Sequence, residues 1–149
     1  MVFKIIDMKE MLKEKLWTYL VNNNPDLVIR FQEDNSVAEY LEEKVNTVMP
    51  AAEHLAGEGR PVYQIEEWCM NEMTADMKPS RYTYIHLVIE EEFSEEYGRM
   101  KENGTLTYEI INMVEECKDI FNEFDFKVEN EENRYLRYAI IGRVHDYLL

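Results

Sequence analysis

Apolar residues recur at three- and four-residue spacing along most of the chain, with charged residues between them, so helices are predicted nearly throughout. The run at residues 57–77, GEGRPVYQIEEWCMNEMTADM, carries the bulkiest such stripe. Gly57 and Gly59 break whatever precedes them, and Pro61 suits a first helical position, where no N–H is needed. Val62, Ile65, Trp68, Cys69 and Met73 then share one helical stripe. This segment is expected to be the central packing helix, with the other segments arranged to cover it.

Taken in order, the pattern predicts a first helix over residues 6–22 with Met8, Leu12, Leu16, Tyr19 and Leu20 on one face. Asn22-Asn23-Asn24-Pro25 ends it, since Asn tolerates a left-handed turn and the residue before Pro avoids the α region. Pro25 opens a short helical turn through Phe31, capped by Asn24. Asn35-Ser36 caps a second long helix that buries Val37, Leu41, Val45, Val48 and Leu55. Pro50 interrupts that pattern and predicts a kink or break near Thr47. Residues 51–56 carry the helix on to Gly57. The Pro61 helix runs to about Met77, where Lys78-Pro79 stops it. Ser80 caps a fourth helix extending to about Arg99 through Tyr84, Leu87, Val88, Glu91 and Phe93. Asn103-Gly104 closes it. Thr105 caps a fifth whose face is Leu106, Ile110, Met113, Cys117, Ile120, Phe121 and Phe124. Residues 124–128 alternate like a strand, but an isolated strand has nothing to pair with, so they are read as loop. Residues 127–130 connect onward, and Asn130 caps a last helix through Tyr147 with Leu136, Ile140, Val144 and Leu148 in an i+4 row.

Length and composition fit this picture. A chain of 149 residues with 46% hydrophobic content makes one domain over 1–149 the expectation, and roughly 70% of the unfolded surface is buried at this size. Five glycines and four prolines suit helices with short connections. Charge changes the functional picture more. The net charge is −15 and every third of the chain is negative, so no basic face gathers the Lys and Arg that counterion-release binding needs. Direct nucleic-acid binding is disfavoured, and anionic membranes would repel such a surface. The opening MVFKIIDMKEMLKEKL lacks the apolar run of a signal peptide. Two cysteines far apart, each on an apolar stripe, read as buried free thiols, so the cytoplasm is the expected address.

Candidate chemistry is thin. The carboxylate pairs Glu66-Glu67, Glu90-Glu91-Glu92 and Glu95-Glu96 point about 100° apart on a helix, which reads as solvated faces and not as acid–base pairs. The inward Glu-x-x-His motif of a di-metal bundle is missing, because His54, His86 and His145 are preceded at three residues by Ala51, Thr83 and Gly142. His54–Glu58 and His86–Glu90 have i,i+4 spacing and read as surface pairs. Cys69 and Cys117 sit where burial makes sulfur inert. Gly57-Glu58-Gly59-Arg60 departs from the phosphate-loop pattern and reads as a helix–helix turn, although Arg60 offers an anion contact. Arg134, Arg137 and Arg143, interspersed with Tyr135 and Tyr138, are either a small interaction patch or charge balance against Glu131 and Glu132; balance is the preferred reading. No catalytic, cofactor or metal residue is assigned, and no cofactor is expected.

The order of landmarks resembles a small family of all-helical bacterial proteins, a domain of unknown function found mainly in Gram-negative anaerobes. An aromatic first helix, LWTYL, leads to Asn24-Pro25-Asp26-Leu27 and then to Leu55-Ala56-Gly57. Ser80-Arg81-Tyr82 opens a helix containing Glu92-Phe93, Ile120-Phe121 lies late in the fifth, and Tyr138…Ile141-Gly142 closes the chain. Ile141 stands where the family tends to carry Thr, so a role for that hydroxyl does not transfer. The resemblance implies an all-helical fold and no activity.

The resulting expectation is an all-α protein, a single irregular helical domain of about six helices. Its expected role is a non-enzymatic interaction, adaptor or regulatory protein whose acidic faces engage a partner with a basic surface. The alternative is a small-molecule enzyme with an inter-helix pocket using His86 or His54 and a carboxylate. Tyr82 and Tyr84 offer exposed aromatic surface for a homodimer.

Overall fold

The computed structural model describes residues 5–149, with side chains from Asp7 onward. Residues 1–4, part of the stretch read for a targeting segment, lie outside it. Among the described residues the fold is all-α, with nine α-helices, two 3-10 turns and no strand. The chain groups into two compact units, one ending at Met77 and the other spanning Lys78–Leu149. Each has its own apolar core.

The N-terminal unit contains α1 (Ile5–Asn23), α2 (Pro25–Glu33), α3 (Val37–Gly57), α4 (Val62–Thr74) and a 3-10 turn at Ala75–Met77. The predicted i+4 row of α1 is buried at Met8, Leu12, Leu16 and Leu20, against Val45, Val48, Met49 and Ala52 of α3 and Ile65, Cys69 and Met73 of α4. Helices α1 and α3 each pack on the other three, so the central role expected for the Pro61 helix belongs to them. The buried line of α4 is Ile65–Cys69–Met73, and Trp68, about 100° round the helix from Cys69, is left 39% exposed. Of the kink or break expected near Thr47, the break is absent: α3 continues through Pro50. Pro50 and Asn46, whose carbonyl loses its N–H partner, are both exposed, so the bond is lost on the solvent side of the helix and not in the core.

The C-terminal unit contains α5 (Arg81–Glu92), α6 (Ser94–Asn103), α7 (Leu106–Glu116), α8 (Lys118–Glu123), a 3-10 turn at Val128–Asn130 and α9 (Arg134–Leu148). Helix α5 packs on α6, α7 and α9, and α7 also packs on α6, α8 and α9. The single helix predicted from Ser80 to about Arg99 is two, divided at Phe93 (φ −132°, ψ 52°). Three carboxylates, Glu90–Glu92, crowd the negative C-terminal end of α5, whereas Glu95 and Glu96 gain by standing in the first turn of a new helix. The bend also lets Phe93, Tyr97 and Met100 reach the core. The buried face of α5 is Tyr82, Ile85, Val88 and Ile89; Leu87, nearly opposite Ile85, is exposed and so is Glu91. The fifth predicted helix keeps its stripe, with Ile110, Met113, Cys117, Ile120 and Phe121 buried, but divides at Cys117 into α7 and α8. Residues 124–127 are non-helical and not a strand, as expected.

Backbone geometry at the helix ends accounts for the misplaced caps. Four helices, α2, α3, α6 and α8, close with the same pair of backbone bonds around one left-handed residue: Asn35 (φ 54°), Gly59 (79°), Gly104 (74°) and Asp125 (51°). After each, the next N–H reaches back five residues: Ser36 to Phe31, Arg60 to Leu55, Thr105 to Met100 and Phe126 to Phe121, at 2.8–3.2 Å. This is the Schellman arrangement. Ser36 and Thr105 are thereby committed to the preceding helix, and their ψ values of 11° and −3° aim the hydroxyl away from the next one. Neither side chain caps, and the hydroxyls donate instead to Phe31 O at 3.5 Å and Met100 O at 3.4 Å. Asn24 (ψ 54°) likewise makes no side-chain cap. The side chains that do cap belong to residues with extended backbone. Ser80 (ψ 123°) accepts from Thr83 N–H at 3.1 Å, and Asn133 (ψ 119°) accepts from Tyr135 and Leu136 N–H at 2.9 and 3.1 Å. Asn133, not Asn130, starts α9. Asn130 pins the connection, accepting from Lys127 N–H at 2.8 Å and donating to Phe124 O and Asp125 O.

Candidate functional site

None of the histidines is gathered into a site. His54 Nε2 lies 3.0 Å from Glu58 Oε1, His86 Nδ1 lies 3.7 Å from Glu90 Oε2, and His145 Nδ1 lies 3.6 Å from Asp146 Oδ1. His54 and His145 are exposed; His86 is half-buried between the rings of Tyr82 and Tyr97. The i,i+4 pairs are surface pairs, as their spacing predicts. Among the described residues no group of three or more His, Cys, Asp or Glu could hold a metal ion.

Both cysteines are buried free thiols. Burial, with Glu72 nearby, pushes Cys69 up to about 11. Burial likewise raises Cys117 to about 11 against the opposing charge of Arg143. Both shifts disfavour the thiolate, the nucleophilic form of the side chain, at neutral pH.

Arg137 and Arg143 are balanced by carboxylates other than those expected, whereas Arg134 lies over the ring of its neighbour Tyr135. Arg137 reaches from α9 to α5, donating to Glu91 at 2.8 Å and Glu92 at 3.0 Å. Arg143 makes a two-pronged contact with Asp119 at 2.9 and 3.2 Å and also donates to Glu116 O at 2.6 Å. Glu131 and Glu132 are in neither arrangement. Tyr82 is buried and Tyr84 half-buried against Phe121 and Phe126, so they do not offer the exposed aromatic surface expected. Tyr135 and Tyr138 do, at 62% and 63% exposure. The Gly57–Gly59 turn joins α3 to α4; Arg60 approaches Glu58 at 3.5 Å and borders a hollow of about 280 Å³ with Leu55, Gln64 and Trp68.

An open groove of about 790 Å³ runs along α1 and α4. Helix α1 lends it Met11, Glu14, Lys15, Thr18 and Asn22, a stripe beside the buried leucine row. Helix α4 lends it Tyr63, Glu66, Glu67, Met70 and Asn71, the stripe beside Ile65–Cys69–Met73. Met11 and Met70 pack on the core as the groove's floor, and Lys15 pairs with Glu66 across it. Stripes of mixed Met, Asn, Thr and Glu carry no strong period, so the groove leaves little trace in the sequence. Two methionines flanking their core rows were the available sign.

A second hollow, of about 230 Å³, lies in the C-terminal unit among Ser80, Thr83, Tyr84, Leu87, Glu91, Arg137 and Glu131, which lines it without an ion pair to Arg137. The Tyr84 hydroxyl is buried there without a hydrogen-bond partner. No histidine or cysteine lines any of these three concavities.

A family model, Domain of unknown function (DUF1896), matches residues 10–142. The chain belongs to the DUF1896 family. The match covers both units: it starts within α1 and ends within α9, so the groove-lining stretches of α1 and α4 are part of the DUF1896 region. No curated protein and no solved structure matches the chain. Among the described residues no helix is long and apolar enough to cross a membrane.

Proposed function

We propose that this DUF1896 chain is a non-enzymatic interaction or regulatory protein that engages a basic partner through its acidic helical surfaces, in the cytoplasm. The observation that carries this is the division of charge. No Asp or Glu residue is buried as a whole among the described residues, the one exception in part being half-buried Asp26, whose Oδ1 is buried without a hydrogen-bond partner. Arg137 and Arg143, the best-placed C-terminal cations, are held by Glu91, Glu92 and Asp119. What faces a partner is therefore carboxylate, with a net charge of −15 behind it. Nucleic acid and anionic membrane are poor partners for that field. Buried free thiols suit a reducing compartment. Self-association remains part of the reading through Tyr135 and Tyr138, and a strict monomer in light scattering would remove it. The histidine–carboxylate enzyme reading is not carried forward, because each histidine meets a single carboxylate and stands outside the three concavities.

Capture from native extract at low and at high ionic strength tests the proposal. A partner with a basic surface is expected to be retained at low salt and released at high salt, because exposed charge pairs are screened beyond a Debye length of about 8–10 Å. Retention that ignores salt, or the absence of any basic partner, would overturn it.

A further inference from the structure

We propose that the α1–α4 groove is where the basic partner docks, taking a segment of its chain that alternates lysine or arginine with apolar residues. This rests on the interaction reading above and names the site for it. Charge complementarity within the groove is the first argument. Glu14, Glu66 and Glu67 line it against a single cation, Lys15, and Lys15 is already seated on Glu66. That internal pair shows an ammonium group accommodated by a groove carboxylate. Glu14 and Glu67 are exposed and hold no such cation among the described residues, so two seats stay open for ammonium or guanidinium groups from outside.

The lining supplies the rest of the recognition. Met11 and Met70 form a pliable apolar floor, and methionine adapts its shape to varied partners. Tyr63, at 67% exposure, adds an aromatic ring on which a cation can rest. Asn71 adds an amide able to bond an extended backbone. An open trough of about 790 Å³ suits a peptide segment, not an enclosed metabolite. A second copy of this chain is a poor occupant, because it too carries −15.

A short fluorescent peptide alternating lysine and leucine is the probe, titrated by anisotropy into the full-length protein at low and high salt. Wild-type protein is expected to bind at low salt and release at high salt. The amide resonances of Thr18, Tyr63 and Asn71 should move more than those of the C-terminal unit. The Glu14→Gln/Glu67→Gln variant should bind about tenfold more weakly, the scale of two exposed charge pairs. The Glu95→Gln/Glu96→Gln variant, with the same charge removed from α6, should bind as wild type within about twofold. Equal losses in both variants, or resonance shifts spread over all acidic faces, would overturn the groove while leaving the acidic-surface proposal standing. No binding to wild type at low salt would overturn both. Equal binding of a glutamate–leucine peptide, or a dimer formed through the Tyr63 face, would also overturn the groove. The wild-type resonance map decides the matter even if a variant fails to fold.

Discussion

The two units solve the same problem with different means. The N-terminal unit rests on two long helices, 19 residues in α1 and 21 in α3, whose stability comes from unbroken aliphatic rows such as Leu12, Leu16 and Leu20. Among the described residues α2, α3 and α4 start without side-chain caps, and the unit's cross-helix ion pairs use lysine: Lys9 and Lys13 on Glu42, Lys15 on Glu66, Lys44 on Asp76. The C-terminal unit is cut into helices of 6 to 15 residues. It adds side-chain caps at Ser80 and Asn133, an aromatic cluster of Tyr84, Phe121 and Phe126, and arginine clamps from α9. Short helices carry too few buried turns to fix their own ends, so caps, rings and planar guanidinium forks hold what length holds elsewhere.

The sharpest way to break this comparison is in the cores. Phe121 is fully buried, with its ring centroid 5.7 Å from that of Tyr84 and 4.8 Å from that of Phe126. Phe121→Ala is expected to cost about 3–5 kcal/mol in urea unfolding, and Leu16→Ala in α1 about 2–5. We propose, from the sequence reading, that residues 1–149 behave as one domain. In that case both substitutions shift a single transition. Two transitions, each moved by only one of the substitutions, would show that the units fold independently.

Effects of about 1–2 kcal/mol separate conformation from contact. Gly104 closes α6 at φ 74°, and a Cβ there would meet nothing, so Gly104→Ala isolates backbone strain. A loss of about 1–2 kcal/mol is expected by thermal or urea denaturation. Next in size, Asn133→Ala removes two cap bonds and should cost about 1 kcal/mol. Ser36→Ala should stay within about 0.5 kcal/mol, since Ser36 makes no cap bond. Equal costs for Asn133 and Ser36 would erase the contrast in how the two units start their helices.

Much of the fold was legible from the rows of apolar residues: Leu12–Leu16–Leu20, Ile110–Met113–Cys117 and Leu136–Ile140–Val144 are buried where the spacing puts them. Boundaries were less legible, for a definite reason. Ser36 and Thr105 have the composition of N-caps, but Asn35 and Gly104 turn left-handed just before them and bind them to the helix that ends. The division at Phe93 was hidden because an acidic run reads as one solvated face, whereas its effect depends on which helix end it occupies. Trp68 misled because a large apolar residue one position off a buried line is left at the surface. The groove was illegible for the opposite reason: it is built from the mixed flanks of two stripes, whose meeting is a property of packing and not of either stripe alone.

The smallest expected effect tests whether the lysine pairs of the N-terminal unit do for it what arginine does for the other. Hydrogen bonds from Lys13 and then Lys9 hold the Glu42 carboxyl down to about 2 from an ordinary 4.5. A depressed carboxylate stabilises the fold above its unfolded value and loses that contribution as pH falls through the folded one. Glu42 therefore supports the tie between α1 and α3 above about pH 4.5 and releases it between about pH 4.5 and 2. Asp119 is also lowered, chiefly by its bond to Arg143, so the α8–α9 clamp weakens in the acid range as well. Both sites are solvent-facing, so the changes are small. Urea midpoints measured from pH 7 down to about 2 should fall less steeply for Glu42→Gln than for wild type. A Glu42→Gln curve parallel to wild type would mean that Lys9 and Lys13 only decorate α1. The long helices would then be held together by their aliphatic rows alone.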